Sequence, residues 1–220
     1  MFFPPAVNSV SGRWKFVLAF SEGFGIIDPE RLGFILKAWN HFVTITHHRH
    51  LVRRGCFNVG LYWQGLTHDL SKYSPTEFRV GAKYYQGTCS PNNAERAEKG
   101  YSEAWIHHKG RNRHHWEYWT DLNLVTRRYD AVHMPRKYLA EMVMDRIAAC
   151  KTYQGNAYTD ASALAYLENS REQYLLHPDT RRELAYILTI LKDQGEKAMY
   201  DYVKNNVLKG HPFPWEETEE

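Results

Sequence analysis

The residues best equipped for chemistry in this chain are its histidines: of twelve, eight lie between positions 47 and 115. Imidazole is the commonest metal ligand and titrates near neutrality, so it is seldom clustered without use. His68-Asp69 sets a neutral imidazole beside a carboxylate, a donor set suited to Mn, Fe, Co, Ni or Zn. Neighbours on a helix point about 100° apart, so both reach one cation only at a helix end. His107-His108 and His114-His115 flank a turn containing Gly110 and could converge on one site. Within a pair the side chains diverge, so one member would ligate and the other would orient a ligand or meet substrate. Asp145 lies in a strongly apolar stretch, with Glu141 one turn earlier on the same face. A buried carboxylate must be ion-paired, hydrogen-bonded or metal-bound. For Asp145, an ion pair with Arg146 or another arginine and a metal are equally open readings.

In chain order these residues read His47 to His50, His68-Asp69, His107 to His115, Asp145. That order resembles the HD superfamily of helical metal-dependent phosphohydrolases, whose motif is H…HD…D and whose dinuclear members insert two further histidines. More closely, HDLSKYSPTEF and HH-x-x-x-N-x-HH-x-E-Y-W look like the signature of an uncharacterised domain family, over roughly positions 44 to 150. The resemblance implies metal ligands at His48, His68, Asp69 and Asp145, with His108 and His115 as the inserted pair. One or two divalent transition-metal ions would be the cofactor. Asp69 would bridge them, Lys72 would direct a cation at a phosphate, and Glu117 would join them as a catalytic group. His47, His107, Asn112, His114 and Glu141 would orient ligands or substrate. Lys72 also reads as an ordinary solvated lysine.

The elements that must position these groups are nearly all helices. Asp28-Pro29 reads as a cap followed by Pro at the first helical position. Leu32, Ile35, Leu36, Trp39, Phe42 and Val43 give the apolar face of a helix from Pro29 to Arg54, stopped by Gly55. A second helix is expected from Val59 to about Lys72. Ser74-Pro75-Thr76-Glu77 is a capping box opening a third, to about Gln86. Residues 87–100, with SPNN among them, read as a surface loop. Ser102 to Lys109 is a short helix. Leu124 to Val132 has some β character. Pro135 opens a helix from Arg136 to Tyr153, and Asp160 caps another to about Tyr174. Thr180 to Glu183 reads as a second capping box, ahead of an apolar stripe of Leu184, Ile187, Leu188 and Leu191. The expectation is an all-α, single-domain, HD-like helical bundle over 28–210, after an extension at 1–27 and before an acidic tail at 211–220.

Composition bounds the function. The chain has 220 residues, 43% hydrophobic and 24% charged, which excludes extensive disorder and collagen-like or disulfide-scaffold classes. No apolar run approaches the roughly 20 residues of a membrane span. Three cysteines without a C-x-x-C pair, and an N-terminus unlike a signal peptide, point to a reducing, cytoplasmic setting. Between Lys109 and Lys137 seven Lys/Arg outnumber three acids, which could steer a small anionic, phosphorylated substrate. The leading expectation is a metal-dependent phosphohydrolase acting on a phosphate ester or nucleotide. The first alternative is a di-iron oxygenase on the same ligand set. The second is a non-enzymatic nucleic-acid-binding protein, with aromatics and arginines interleaved at Arg113 to Trp119 and Arg127 to Tyr129.

Overall fold

Helix α1 starts where the sequence says it must. In the computed structural model, which describes residues 28–170 and 175–216, Asp28 accepts a hydrogen bond from the Glu30 amide at 3.1 Å and Pro29 opens the helix. It does not stop at Gly55 but runs to Asn58. Gly55 is instead a point of close approach: a Cβ there would lie 2.9 Å from Met144 Sδ on the helix α6 (Arg136–Gln154). The glycine serves interhelical packing, not termination. The buried stripe of α1 is also not the expected one. It comprises His41, Ile45, His48, Val52, Gly55 and Cys56, whereas Leu32, Ile35, Leu36, Trp39, Phe42 and Val43 are exposed among the described residues. Polar histidines occupy core positions of this helix, which directs attention to what they face.

Helix α6 is the axis of the molecule. Every residue from Leu139 to Cys150 is buried, as expected of a helix enclosed on all sides. It packs against α1, against α7 (Ser162–Asn169) and against α8 (Pro178–Tyr202). Leu184, Ile187, Leu188 and Leu191 are fully buried, as their spacing implies. Among the described residues the eight α-helices also include α2 (Tyr62–Thr67), α3 (Pro75–Lys83), α4 (Pro91–Lys99) and α5 (Glu103–Lys109), with one antiparallel hairpin of β1 (Thr120–Asn123) and β2 (Arg128–Ala131). The fold is all-α, and the hairpin accounts for the β character near Leu124.

Several local expectations are corrected by chemistry that competes with them. The second helix is short and ends before His68, because Asp69 adopts left-handed backbone angles (φ 52°, ψ 27°). Residues 87–100 are not a plain loop: Ser90-Pro91 starts α4, and Gly100 ends it at φ 82°. The box at Thr180 is not the start of α8, which begins at Pro178 with His177 Nδ1 accepting from the Asp179 amide at 3.3 Å. Thr180 and Glu183 are buried tethers instead, accepting from the Met134 amide (3.0 Å) and from His133 Nε2 (3.0 Å). Asp160 precedes α7 without capping it; Ala161 holds that position. The helix expected to about Tyr174 ends earlier, at Asn169, where Ser170 takes up extended backbone; the expectations for residues 1–27 and for the last four residues of the tail lie outside the described residues. Gly55→Val should lower stability by about 1–3 kcal/mol through overpacking against Met144. Urea unfolding with an unchanged m-value checks it.

Candidate metal centre

The helix break at His68-Asp69 turns both side chains inward. A left-handed residue is costly for most side chains but tolerated by Asp. Placed after an extended His68 (φ −47°, ψ 125°), it lets two consecutive side chains reach one space. Arg49 of α1 holds this geometry: Nε donates to the His68 carbonyl at 2.7 Å and Nη2 to the Leu66 carbonyl at 3.1 Å. Carbonyls left open at the end of α2 are thereby satisfied.

Around Asp69, which is fully buried, two sets of side chains converge. On one side are His48 of α1, His68 and Asp145 of α6. Asp69 Oδ2 lies 3.2 Å from His68 Nε2 and 3.8 Å from His48 Nε2, and Asp145 Oδ1 lies 3.0 Å from His48 Nε2. On the other side, Asp69 Oδ1 lies 3.3 Å from His108 Nε2 and 3.4 Å from His114 Nε2. His115 Nε2 meets His108 Nε2 at 2.8 Å. His48, His68, Asp69 and Asp145 form one group that could hold a metal ion, and Asp69, His108, His114 and His115 form another.

The donors fit such an ion. His48 Nε2, His68 Nε2, His114 Nε2 and Asp69 Oδ1 are buried without an aligned hydrogen-bond partner. Buried polar atoms are almost always satisfied, so four such atoms facing one another call for a shared partner. Ligands about 2.0–2.1 Å from a tetrahedral ion lie roughly 3.3 Å apart, the scale of the separations given above.

Two carboxylates behind the imidazoles fix their direction. Glu141 Oε1 accepts from His68 Nδ1 at 2.9 Å and lies 3.1 Å from His114 Nδ1. Glu77 accepts from His107 Nδ1 at 2.7 Å and from His108 Nδ1 at 2.8 Å. A ring whose Nδ1–H is held this way presents a bare Nε2 to a metal and becomes more basic. Burial alone would raise the Asp69 carboxyl, but the nearby His68 and Lys72 charges hold it well below the usual range. Burial likewise opposes the charged form of Asp145, and the His48 and His68 contacts reverse that. Burial would lower His68, yet Asp69 and Asp145 push it well above its ordinary value. The carboxylates therefore attract positive charge to this space.

The remaining residues singled out by sequence fall into different places. Asp145 meets His48, and the Arg146 guanidinium lies over the Tyr166 ring. Lys72 Nζ contacts Asp69 Oδ2 at 2.6 Å. His47 is exposed on α1, and His107 reaches Glu77 and is not in either group of potential ligands. Asn112 Nδ2 donates to Ser71 Oγ (2.9 Å) and to the His108 carbonyl (2.8 Å), bracing the turn between the histidine pairs. Glu117 Oε1 accepts from Trp105 Nε1 at 3.2 Å, and Trp105 packs edge-on against His115 at 4.8 Å. In the basic segment, Arg113 stacks over Tyr118 and Tyr138, and Arg136 over Phe213. Those aromatic faces are used within the fold. Sequence reasoning missed Glu77 and Arg49. Glu77 carried no signal beyond the capping box, and Ser74 does accept its amide at 3.4 Å.

A cavity of about 100 Å³ opens onto the cluster, with His48, His108, His115 and Asp145 in its wall. Lys72, Arg96 and Trp105 line it as well.

Asp69→Ala should lower bound metal and the thermal midpoint together, since a metal that binds only the folded state stabilises it by mass action. Metal analysis beside a melting curve checks both. Glu141→Ala should weaken metal affinity about 10–100-fold without removing a donor that faces Asp69, as read by competition with a chelating dye.

No curated protein and no solved structure matches the chain. No helix among the described residues is long and apolar enough to cross a membrane. One family profile does match, over residues 37–190, which takes in α1 from its third turn onward, every residue of the buried cluster and the first half of α8. The chain belongs to that family, DUF5662, a family of unknown function.

Proposed function

We propose that the chain is a metal-dependent phosphohydrolase of the HD type, acting on a small phosphate ester through two cation sites that share Asp69. The observation that carries this reading is that the two Asp69 oxygens face different sets of histidines, Oδ2 toward His68 and Oδ1 toward His108 and His114. His48, His68, Asp69 and Asp145 would hold one ion. Asp69 and His108, with His114 and His115, would hold the other, while His107 steadies Glu77. Ions held there supply Lewis acidity toward a phosphoryl oxygen and a lowered pKa for water. The order H…HD…H…H…D along a helical chain supports the kinship with HD enzymes.

The chain's own residues do the rest. Lys72, partly exposed at 27% and already against Asp69, can turn its ammonium to an anionic oxygen in the cavity. Arg96, its guanidinium 5.4 Å from the Trp105 centroid, adds a second cation to the wall. Trp105 shields the edge of His115 and, through its indole N–H, fixes Glu117. Glu141 and Glu77 keep the imidazoles turned inward.

Metal-loaded protein should hydrolyse p-nitrophenyl phosphate and lose that activity on chelation. His108→Ala and His114→Ala should each lose metal and activity, whereas His107→Ala should retain metal. Lys72→Ala should raise KM for the anionic ester on the order of tenfold, the loss of about 1.4 kcal/mol of charge-assisted binding. Protein purified with an iron pair, visibly coloured and inert toward phosphate esters, would replace hydrolysis with dioxygen chemistry.

A further inference from the structure

The cavity has a second polar end that the metal cluster does not use. His41 lies on α1 two turns before His48, about 10 Å away along the helix and on the same buried stripe. It lines the same cavity as His48, His108, His115 and Asp145, yet is itself 94% buried, with 6% exposure. Among the described residues, no hydrogen-bond partner is found for either of its ring nitrogens. Its neighbours are aromatic rings and a glycine. Phe78 lies 5.3 Å and Tyr85 6.0 Å from its centroid, and a Cβ on Gly81 would sit 2.1 Å from its Nε2. The ring is thus wedged in place by apolar contact, with its hydrogen-bonding capacity unspent. Gly81 is required for that position, since any larger residue there would displace the ring.

The chemistry of the missing partner follows from the charge state and the surroundings. Burial, aided by the Lys72 charge, pushes His41 down to about 4, so at neutral pH it offers one N–H and one lone pair and no charge. A neutral imidazole is a poor receptor for a second anion. A hydroxyl, which both donates and accepts, matches it. The adjacent wall has the same character. Thr44 Oγ1 gives its one hydrogen to the Asn40 carbonyl at 2.9 Å, so the 2.8 Å contact with Tyr85 has the tyrosine hydroxyl donating. Tyr85 therefore keeps free acceptor capacity on its oxygen, and Tyr85 and Tyr153 both line the cavity. Anionic recognition sits at the Lys72 and cluster end; neutral polar recognition sits at the His41 end.

We infer that His41, backed by Tyr85, is the specificity-determining group of this site, selecting substrates that carry a hydroxyl on a short organic body a few bonds from the phosphate. This rests on the phosphohydrolase reading and adds to it the class of ester preferred. The small cavity and the two helical turns between His41 and His48 limit that body to a few carbons.

The test uses the metal-loaded full chain and two esters with one three-carbon skeleton, glycerol 1-phosphate and n-propyl phosphate. The unaltered protein should favour the hydroxylated ester in kcat/KM by about tenfold, the scale of one or two neutral hydrogen bonds. In His41→Phe that ratio should fall to near one with metal content retained, and His41→Gln, which keeps a donor and an acceptor, should restore part of it. Gly81→Ala, which leaves His41 in the chain but displaces it, should reproduce the loss. An equal preference in the unaltered protein and in His41→Phe, both fully metallated, overturns the assignment of His41 and leaves the phosphohydrolase standing. Failure of the unaltered metal-loaded protein to turn over either ester overturns both.

Discussion

A carboxylate sealed from water dictates the rest of this molecule. Asp69 has no exposed surface and remains ionised, because the positive groups beside it outweigh the cost of burial. An isolated buried charge costs many kcal/mol, and even a paired one is retained only when its lone pairs find partners. Every surrounding element contributes to meeting that demand. The left-handed turn at Asp69 brings His68 with it, Lys72 comes from one turn later, and Arg49 holds the end of α2. His48 and Asp145 meet across α1 and α6, two helices that approach closely because Gly55 lets Met144 in.

The charge balance of the cluster is the strongest physical argument for cations there. Asp69, Asp145, Glu77 and Glu141 are all buried, and each carboxyl is held below its ordinary value. Against these four negative charges stands one ammonium, that of Lys72, leaving a deficit of three if the imidazoles are neutral. Protons on His68 and His108, both pushed upward, offset part of it. Divalent ions at the orphaned nitrogens would offset it fully and would use the nitrogens as lone-pair donors. Glu77 and Glu141 play matching parts, each addressing the Nδ1 atoms of two histidines. Two groups of potential ligands therefore meet at one aspartate.

How much of this was legible in sequence depended on how local the cause was. The all-α class, the Asp28 cap and the apolar face of α8 followed from spacing alone, because caps and amphipathic stripes are written in neighbouring residues. The juxtaposition of His48, His68, Asp69 and Asp145 was anticipated through motif order, although 97 residues separate the ends. What failed depended on tertiary context. The apolar stripe of Leu32 to Val43 looked like core, but the core face of α1 is the one carrying His41 and His48. Glu77, Thr180 and Glu183 looked like capping residues, and each has a long-range partner that a short window cannot see. Within the histidine pairs, spacing showed divergence but not direction. The resemblance puts His107 and His114 among the supporting residues, yet His114 Nε2 faces Asp69 while His107 turns to Glu77.

The stretch whose composition reads as loop has the most consequence for the cavity wall. Pro91 and Ser90 at the start of α4 line the cavity together with Asn92 and Arg96. This polar helix is pinned by Glu95, fully buried, which accepts from Ser102 Oγ at 2.6 Å and from Lys99 at 3.1 Å. Ser102 in turn caps α5 by accepting from the Trp105 amide at 3.0 Å. One chain of hydrogen bonds thus ties the cavity roof to the helix that presents His108 and to the indole that packs on His115. A structureless loop could not hold Arg96 half-buried against Trp105; a capped helix with a buried acid can. The cations and rings that line the cavity are fixed by the same contacts that orient the imidazoles, so the shape of the cavity and the geometry of the cluster are set together.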